Sequence, residues 1–143
     1  MKDLQRGFTI IELLITTIVL SITATMAIPS FKNIVAQYRL NSDVRELSSV
    51  LMMARNQATL LRKDVTVDLQ SNQSDSNTIF HWTPKAQNKL TSSQEKVTFW
   101  MDGGISDFTS DINFSICNKV LGVSKTIAIT RMGTQYLKAE GTC

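Results

Sequence analysis

From Phe8 to Ile28 the chain reads "FTIIELLITTIVLSITATMAI", almost wholly apolar, with one carboxylate, Glu12, near its start. As a helix this run reaches roughly 31 Å, about the thickness of a bilayer core. Lys2 and Arg6 precede it and no basic residue follows until Lys32. By the positive-inside tendency the N-terminus stays cytoplasmic and the remainder faces outward. Three readings fit the run: an uncleaved anchor, a secretory signal cut near Thr25-Met26-Ala27, or a segment in which the acid has a purpose. A charged acid at the bilayer centre costs roughly 2.5–3.5 kcal/mol, so such a residue usually has a partner. No basic residue lies within the span. A cut just ahead of Phe8 would create an α-amino group about one helical turn from Glu12. The pair would form within one chain or between staggered neighbours, which makes Glu12 an assembly or registration device.

The chain has 143 residues. About 114 follow the apolar run, enough for one small domain and too few for two. Fifteen Lys plus Arg against 12 Asp plus Glu give a net charge of +3, too small by itself to predict nucleic-acid binding. Cys117 and Cys143 are the two cysteines. Behind a membrane-targeting segment they fall on the oxidising side, where pairing is common; the alternative is two free thiols. A bridge would close a loop of about 27 residues, roughly 3.5 kcal/mol in the chain-entropy model, and would pin a C-terminus that otherwise frays.

Pro29 lacks an N–H and disfavours helix at Ile28, so a kink or local melting is expected there. Beyond it Leu40, Val44, Leu47, Leu51, Ala54, Ala58 and Leu61 recur at alternating spacings of four and three, one apolar stripe along a helix. Arg39, Arg45, Glu46, Arg55 and Arg62 lie off the stripe. The small alanines suit a helix packed on its own sheet with a solvated outer face; a coiled-coil seam is the alternative.

After Lys63 the period changes to two. Val65, Val67 and Leu69 alternate with polar residues, and residues 70–77 form a polar run that reads as a turn or loop. Strands are expected at residues 78–82, 97–101, 111–117 and 125–130, with a last strand at 135–139; Asp102-Gly-Gly104 and Met132-Gly133 are turns. Residues 85–96 are polar and expected to be looped. The plan is α+β: a long N-terminal helix, then a mainly antiparallel sheet.

No catalytic constellation is present. The single histidine, His81, sits beside Trp82 in a strand candidate and is expected to pack or face solvent, since metal sites need several donors. Gly103-Gly104 is a turn rather than a phosphate cradle. No cofactor or metal is expected, and the chain is not expected to be an enzyme.

Residues 6–12, Arg-Gly-Phe-Thr-Ile-Ile-Glu, resemble the type III signal of type IV pilins and pseudopilins: a short basic leader ending in Gly, then Phe, then Glu at the fifth mature position. Pro29 falls at the twenty-second mature position, where many members carry a helix-loosening proline. The run "INFSICNKVLGVSKTIAITRMGTQYLKAEGTC" resembles the GspH/FimT/FimU branch of minor pilins and pseudopilins. The resemblance implies the pilin fold, divided into a leader (1–7), a transmembrane and filament-core helix segment (8–29), an amphipathic helix (30–63) and a β-rich globular domain (64–143). It implies cleavage between Gly7 and Phe8 by a prepilin peptidase and N-methylation of Phe8. It implies storage in the inner membrane of a Gram-negative bacterium, with the domain periplasmic, then passage into a pilus among other minor and major pilins. The function it implies is that of a minor pilin that primes assembly near the filament tip. A type II secretion pseudopilin and a DNA-binding minor pilin for natural transformation are the alternatives. Some FimT-like relatives bind DNA through a Gly-Arg-x-Arg tail motif; here the stretch is Gly133-Thr-Gln-Tyr136, without either arginine. The cations left for phosphate contact are Lys125, Arg131 and Lys138, and Trp82, Trp100 or Tyr136 would stack on bases if exposed.

Overall fold

The structure is a computed structural model that describes residues 7–92, 94–106 and 110–143; the side chains of residues 26, 27, 29 and 30 are outside the description. The expected leader therefore lies outside the described residues except for Gly7, as does the side chain of Pro29. The chain divides into two compact units, Met1–Val35 and Ala36–Cys143. Helix α1, Ile10–Leu61, contributes to both and is uninterrupted at Pro29.

Among the described residues of the first unit α1 has no buried face. Phe8 is 81% exposed, Ile10 82%, and Leu13, Leu14, Ile15, Ile18, Val19, Leu20 and Ile22 are all more than half exposed. The hydroxyls in this stretch are satisfied by the helix itself. Thr16 donates to the Leu13 carbonyl at 2.9 Å, Thr17 to Leu14 at 2.9 Å, Ser21 to Thr17 at 2.8 Å, Thr23 to Leu20 at 3.0 Å and Thr25 to Ile22 at 2.7 Å. Such back-bonding removes polar demand from an otherwise apolar surface. Among the described residues no helix is long and apolar enough to cross a membrane. The described side chains of the apolar run stop at Thr25 and resume only at Ile28, so the expected span over 8–29 is seen only in part.

In the second unit α1 buries the stripe that its spacing predicts. Leu40, Val44, Leu47, Leu51, Ala54 and Ala58 are all buried, which favours packing on the chain's own sheets over a coiled-coil seam. Leu61 departs from the expectation and is 40% exposed. The helix ends there: Arg62 turns left-handed at φ 51° and the Lys63 N–H bonds back to the Ala58 carbonyl at 3.3 Å. That is a Schellman closure, with arginine where glycine is usual.

Strands β1 (Val65–Asp68), β2 (Ile79–His81) and β4 (Lys96–Phe99) form one sheet in the order β2-β1-β4. Strands β3 (Asn88–Leu90), β5 (Ile112–Asn118), β6 (Val123–Ile129) and β7 (Gln135–Leu137) form the other in that order, and β8 (Gly141–Thr142) also pairs with β6. All pairings are antiparallel except β1 with β2. The polar run at 70–77 is thus a return connection between parallel strands rather than a hairpin turn. Two strands escape the pattern reading. β3 lies inside the expected loop and has no alternation, and β8 is two residues long.

Val65, Val67, Val97, Phe99, Phe114, Ile116, Ile127, Ile129 and Trp82 close the core beneath the helical stripe. One acid enters it. Asp43, 2% exposed, accepts from the Lys85 backbone N–H and from Asn88 Nδ2, both at 2.8 Å. Asn118 Nδ2 donates to Asn88 Oδ1, and Asn118 Oδ1 accepts from the N–H groups of Val120 and Leu121. A buried polar chain satisfied at each link ties α1 to β3 and to the turn after β5. Of the residues expected on the solvated outer face, Arg55 is half-buried and donates from Nε to the Gly103 carbonyl at 3.1 Å.

Candidate functional site

Thr9 is the last residue before α1 and Glu12 is the third residue within it. The Thr9 hydroxyl accepts from the Glu12 backbone N–H at 3.2 Å, while Glu12 Oε2 accepts from the Thr9 N–H and from the Thr9 hydroxyl, both at 3.1 Å. The Leu13 N–H reaches the Thr9 carbonyl at 3.2 Å. This is a capping box: two helix-end donors satisfied reciprocally, with the carboxylate at the positive end of the helix dipole. The acid that looked unpartnered in sequence carries its own donors. The signal was readable, since Thr9-Ile-Ile-Glu12 has the Thr-x-x-Glu spacing ahead of an apolar run. Among the described residues nothing bonds to Oε1.

The Gly7–Phe8 bond lies just outside this cap. Residues 7–9 are non-helical and exposed, and a Cβ on Gly7 would meet nothing within 4 Å. A protease can reach such a bond without unwinding the helix.

Cys117 and Cys143 are bonded to each other, Cα–Cα 5.7 Å. The bridge holds the C-terminus against β5, and the Cys143 N–H also reaches the Gly122 carbonyl at 3.1 Å.

The three cations considered for DNA are not one cluster. Lys125 lies early in β6 and is paired with Glu140 at 2.7 Å, its side chain only 21% exposed. Arg131 lies past the other end of β6, where its carbonyl accepts from the Ile105 N–H. They stand six positions apart along an extended stretch of chain, roughly 20 Å. Lys138 is exposed and its N–H bonds to the Thr126 carbonyl. Among the aromatic candidates Trp82 is buried and Trp100 is half exposed. Tyr136 donates its hydroxyl to Asp111 at 2.8 Å; that bond holds its phenol above the usual tyrosine value. His81 is nearly buried, with Nδ1 3.5 Å from Asp75. Among the described residues no group of His, Cys, Asp and Glu is arranged to hold a metal.

Residues 2–28 match the family model of the prokaryotic N-terminal methylation motif. A stretch of 46 residues is 41% identical to the type IV major fimbrial protein FimA of Dichelobacter nodosus, covering 32% of this chain and 30% of that protein. The chain thus aligns with under a third of the length of the curated relatives it matches. In three dimensions the chain is similar to the type IV minor pilin FimU of Pseudomonas aeruginosa PAO1 in two crystal forms. One gives a TM-score of 0.57 at 20% identity, over 72% of this chain and 90% of that one; the other gives 0.52 at 21% identity, over 70% and 93%. The chain thus carries the prokaryotic N-terminal methylation motif at the head of a long helix, and that helix with its mainly antiparallel sheets has the fold of the type IV minor pilin FimU.

Proposed function

We propose that the chain is a minor pilin of a type IV pilus, a membrane-anchored subunit that helps prime pilus assembly and sits at or near the filament tip. The observation that carries this reading is an outward-facing apolar helix headed by a capped acid, directly after an open Gly7–Phe8 bond. The likeness in fold to FimU supports a minor rather than a major subunit. A prepilin peptidase cuts between Gly7 and Phe8, and the new amine on Phe8 is methylated. The apolar surface is held first by the lipid of the inner membrane and then by the helices of other pilins. Within the membrane the capping box lowers the cost of Glu12, because the carboxylate keeps two donors of its own. Oε1 is left for a cation, the Phe8 amine of the same chain or of a neighbour. Pro29 is where the helix yields on extraction. The DNA-binding alternative loses support because Lys125, Arg131 and Lys138 are spread along the sheet and Lys125 is engaged.

The test counts surface pili on cells lacking the protein, with retraction disabled, against the complemented strain. Loss of pili restored by complementation is the expected result; unchanged pilus number would remove the priming role. Glu12→Gln separates the two duties of the acid, because glutamine also serves in a capping box but has no charge. The variant is expected to be cleaved normally and to be absent from the sheared filament fraction. Normal incorporation would reduce Glu12 to a helix cap.

A further inference from the structure

Two of the outer strands, β2 and β7, are treated differently by the fold. In β2 the backbone groups of Ile79 and His81 point away from β1, and the preceding loop covers them. The Ser76 N–H donates to the Ile79 carbonyl at 2.8 Å, the Ile79 N–H donates to Ser76 Oγ at 3.0 Å, and the His81 N–H donates to Asp75 Oδ1 at 2.7 Å. That edge is closed against further pairing.

The far side of β6 is lined by β7 and β8, and their registers differ by one residue. Ile127 pairs with Leu137 and Ile129 with Gln135, whereas Val123 pairs with Thr142 and Ser124 with Gly141. One extra residue is therefore accommodated between Lys138 and Gly141, a bulge that blunts the C-terminal part of the edge. The Lys125–Glu140 pair and the Cys117–Cys143 bridge sit at that part.

Gln135–Leu137 has no such protection. The Thr130 N–H bonds to the Thr134 carbonyl and the Lys138 N–H to the Thr126 carbonyl. By antiparallel alternation the N–H and C=O groups of Gln135 and Leu137 then point away from β6. Among the described residues none pairs with them. Beside this edge lies a groove of about 390 Å³ between α1 and the sheet, lined by Val44, Arg45, Ser48, Ile127, Gln135, Tyr136 and Leu137. The Gln135 side chain reaches Ser48 Oγ at 2.7 Å, so Gln135 and Leu137 share the helix-facing side; yet Leu137 is 65% exposed. The carboxylates nearby are engaged, Glu140 by Lys125 and Asp111 by the Tyr136 hydroxyl. Arg45 and Lys138 have no carboxylate partner among the described residues. Arg45 and Lys138 outnumber Asp111, which accepts from a neutral hydroxyl and keeps its charge, so this edge is net positive.

We propose that the Gln135–Leu137 edge is a docking site for an extended segment of a partner protein, which adds to β7 as a further strand. Its backbone takes up the outward groups of Gln135 and Leu137, an apolar side chain enters the groove over Ile127 and Leu137, and a carboxylate meets Arg45. The inference rests on the sheet edge and not on Glu12 or on filament incorporation.

The experiment places the photo-reactive residue benzoylphenylalanine at Leu137 of the full chain in its native cells, and at Ile79 as the closed-edge control. Crosslinked peptides are mapped by mass spectrometry. The expected result is a crosslink from position 137 to one partner protein, through an extended segment that contains an acidic residue, with at least tenfold less product from position 79. Arg45→Glu, checked for an unchanged heat-unfolding midpoint, is expected to cut the yield at least tenfold, and a lysine in place of the partner's acid to restore it. The proposal is overturned by no crosslink at 137, by a crosslink to a second copy of this chain or to a helix, by equal yield from position 79, or by a yield indifferent to Arg45→Glu.

Discussion

One helix meets two kinds of surroundings. From Ile10 to Thr25 the apolar residues of α1 lie on every side, and none of the large ones is covered by the chain itself. From Leu40 to Ala58 the residues Leu40, Val44, Leu47, Leu51, Ala54 and Ala58 occupy one stripe and each is buried, while Met52 and Met53 beside it stay about half exposed. The difference lies in the periodicity and not in helix propensity. A stripe a few residues wide matches the face of the sheets it packs on, whereas an all-round apolar surface has no match within one small domain. The first stretch is written for cover from outside the chain and the second for cover from within it.

The comparison breaks most visibly under Leu51→Ala. Loss of a fully buried leucine is expected to cost about 2–5 kcal/mol and to lower the unfolding midpoint of the second unit by about 10 °C or more. Leu14→Ala, the same change in the exposed stretch, is expected to leave that midpoint unmoved. A drop for Leu14→Ala equal to that for Leu51→Ala would erase the distinction. Next comes the bridge: Cys143→Ser, or reductant, is expected to cost about 2–5 kcal/mol. It would loosen the C-terminal strand without affecting the first unit, and calorimetry with and without reductant measures it.

Gly133→Ala is expected to destabilise by about 1–3 kcal/mol. Gly133 has φ +72°, and an added Cβ would stand 2.9 Å from Arg55 Nε and nearer still to the Gly103 carbonyl. Urea unfolding reads the loss, and Gly122→Ala is the control, with the same sign of φ but open space around it. The smallest effect is that of pH. The Gln70 N–H, followed by Lys96, holds the Asp68 carboxyl below its ordinary value of 3.8. Its contribution is fully present above that value and is lost as pH falls through the lowered one. Asp68→Asn is expected to flatten the acid limb of the midpoint-versus-pH curve slightly; an unchanged limb would show that the carboxyl contributes nothing there.

Much of this was legible in the residues. Spacings of three and four gave the buried stripe, and alternation at Ile112, Phe114 and Ile116 gave the core face of β5, because in both places side-chain periodicity and burial coincide. What was not legible depends on partners distant in sequence. β3 has no alternation and exists through its pairing with β5 and through the Asp43–Asn88–Asn118 chain. The parallel pairing of β1 and β2 cannot be read from the polar loop that joins them. Arg55 looked like a solvated cation because nothing near it in sequence announces the turn at Gly103. Leu61 kept the period of the stripe, but it is the last residue of the helix, where the chain turns away, and stays exposed. The capping box was a different kind of omission. Its four residues, Thr9 to Glu12, are adjacent and complete, with the hydroxyl three positions before the charge.

The hydroxyls of Thr16, Thr17, Ser21, Thr23 and Thr25 have one further consequence. Each donates to a carbonyl one turn back, so none of them depends on what lies outside the helix for a proton acceptor. The stretch can exchange one apolar medium for another without breaking a hydrogen bond of its own. The work of transfer is then set by contact with the two media alone, and where they are similar in polarity that difference is small. A segment built this way takes its solvation with it, and an assembly that draws it from one medium into another need supply little more than direction.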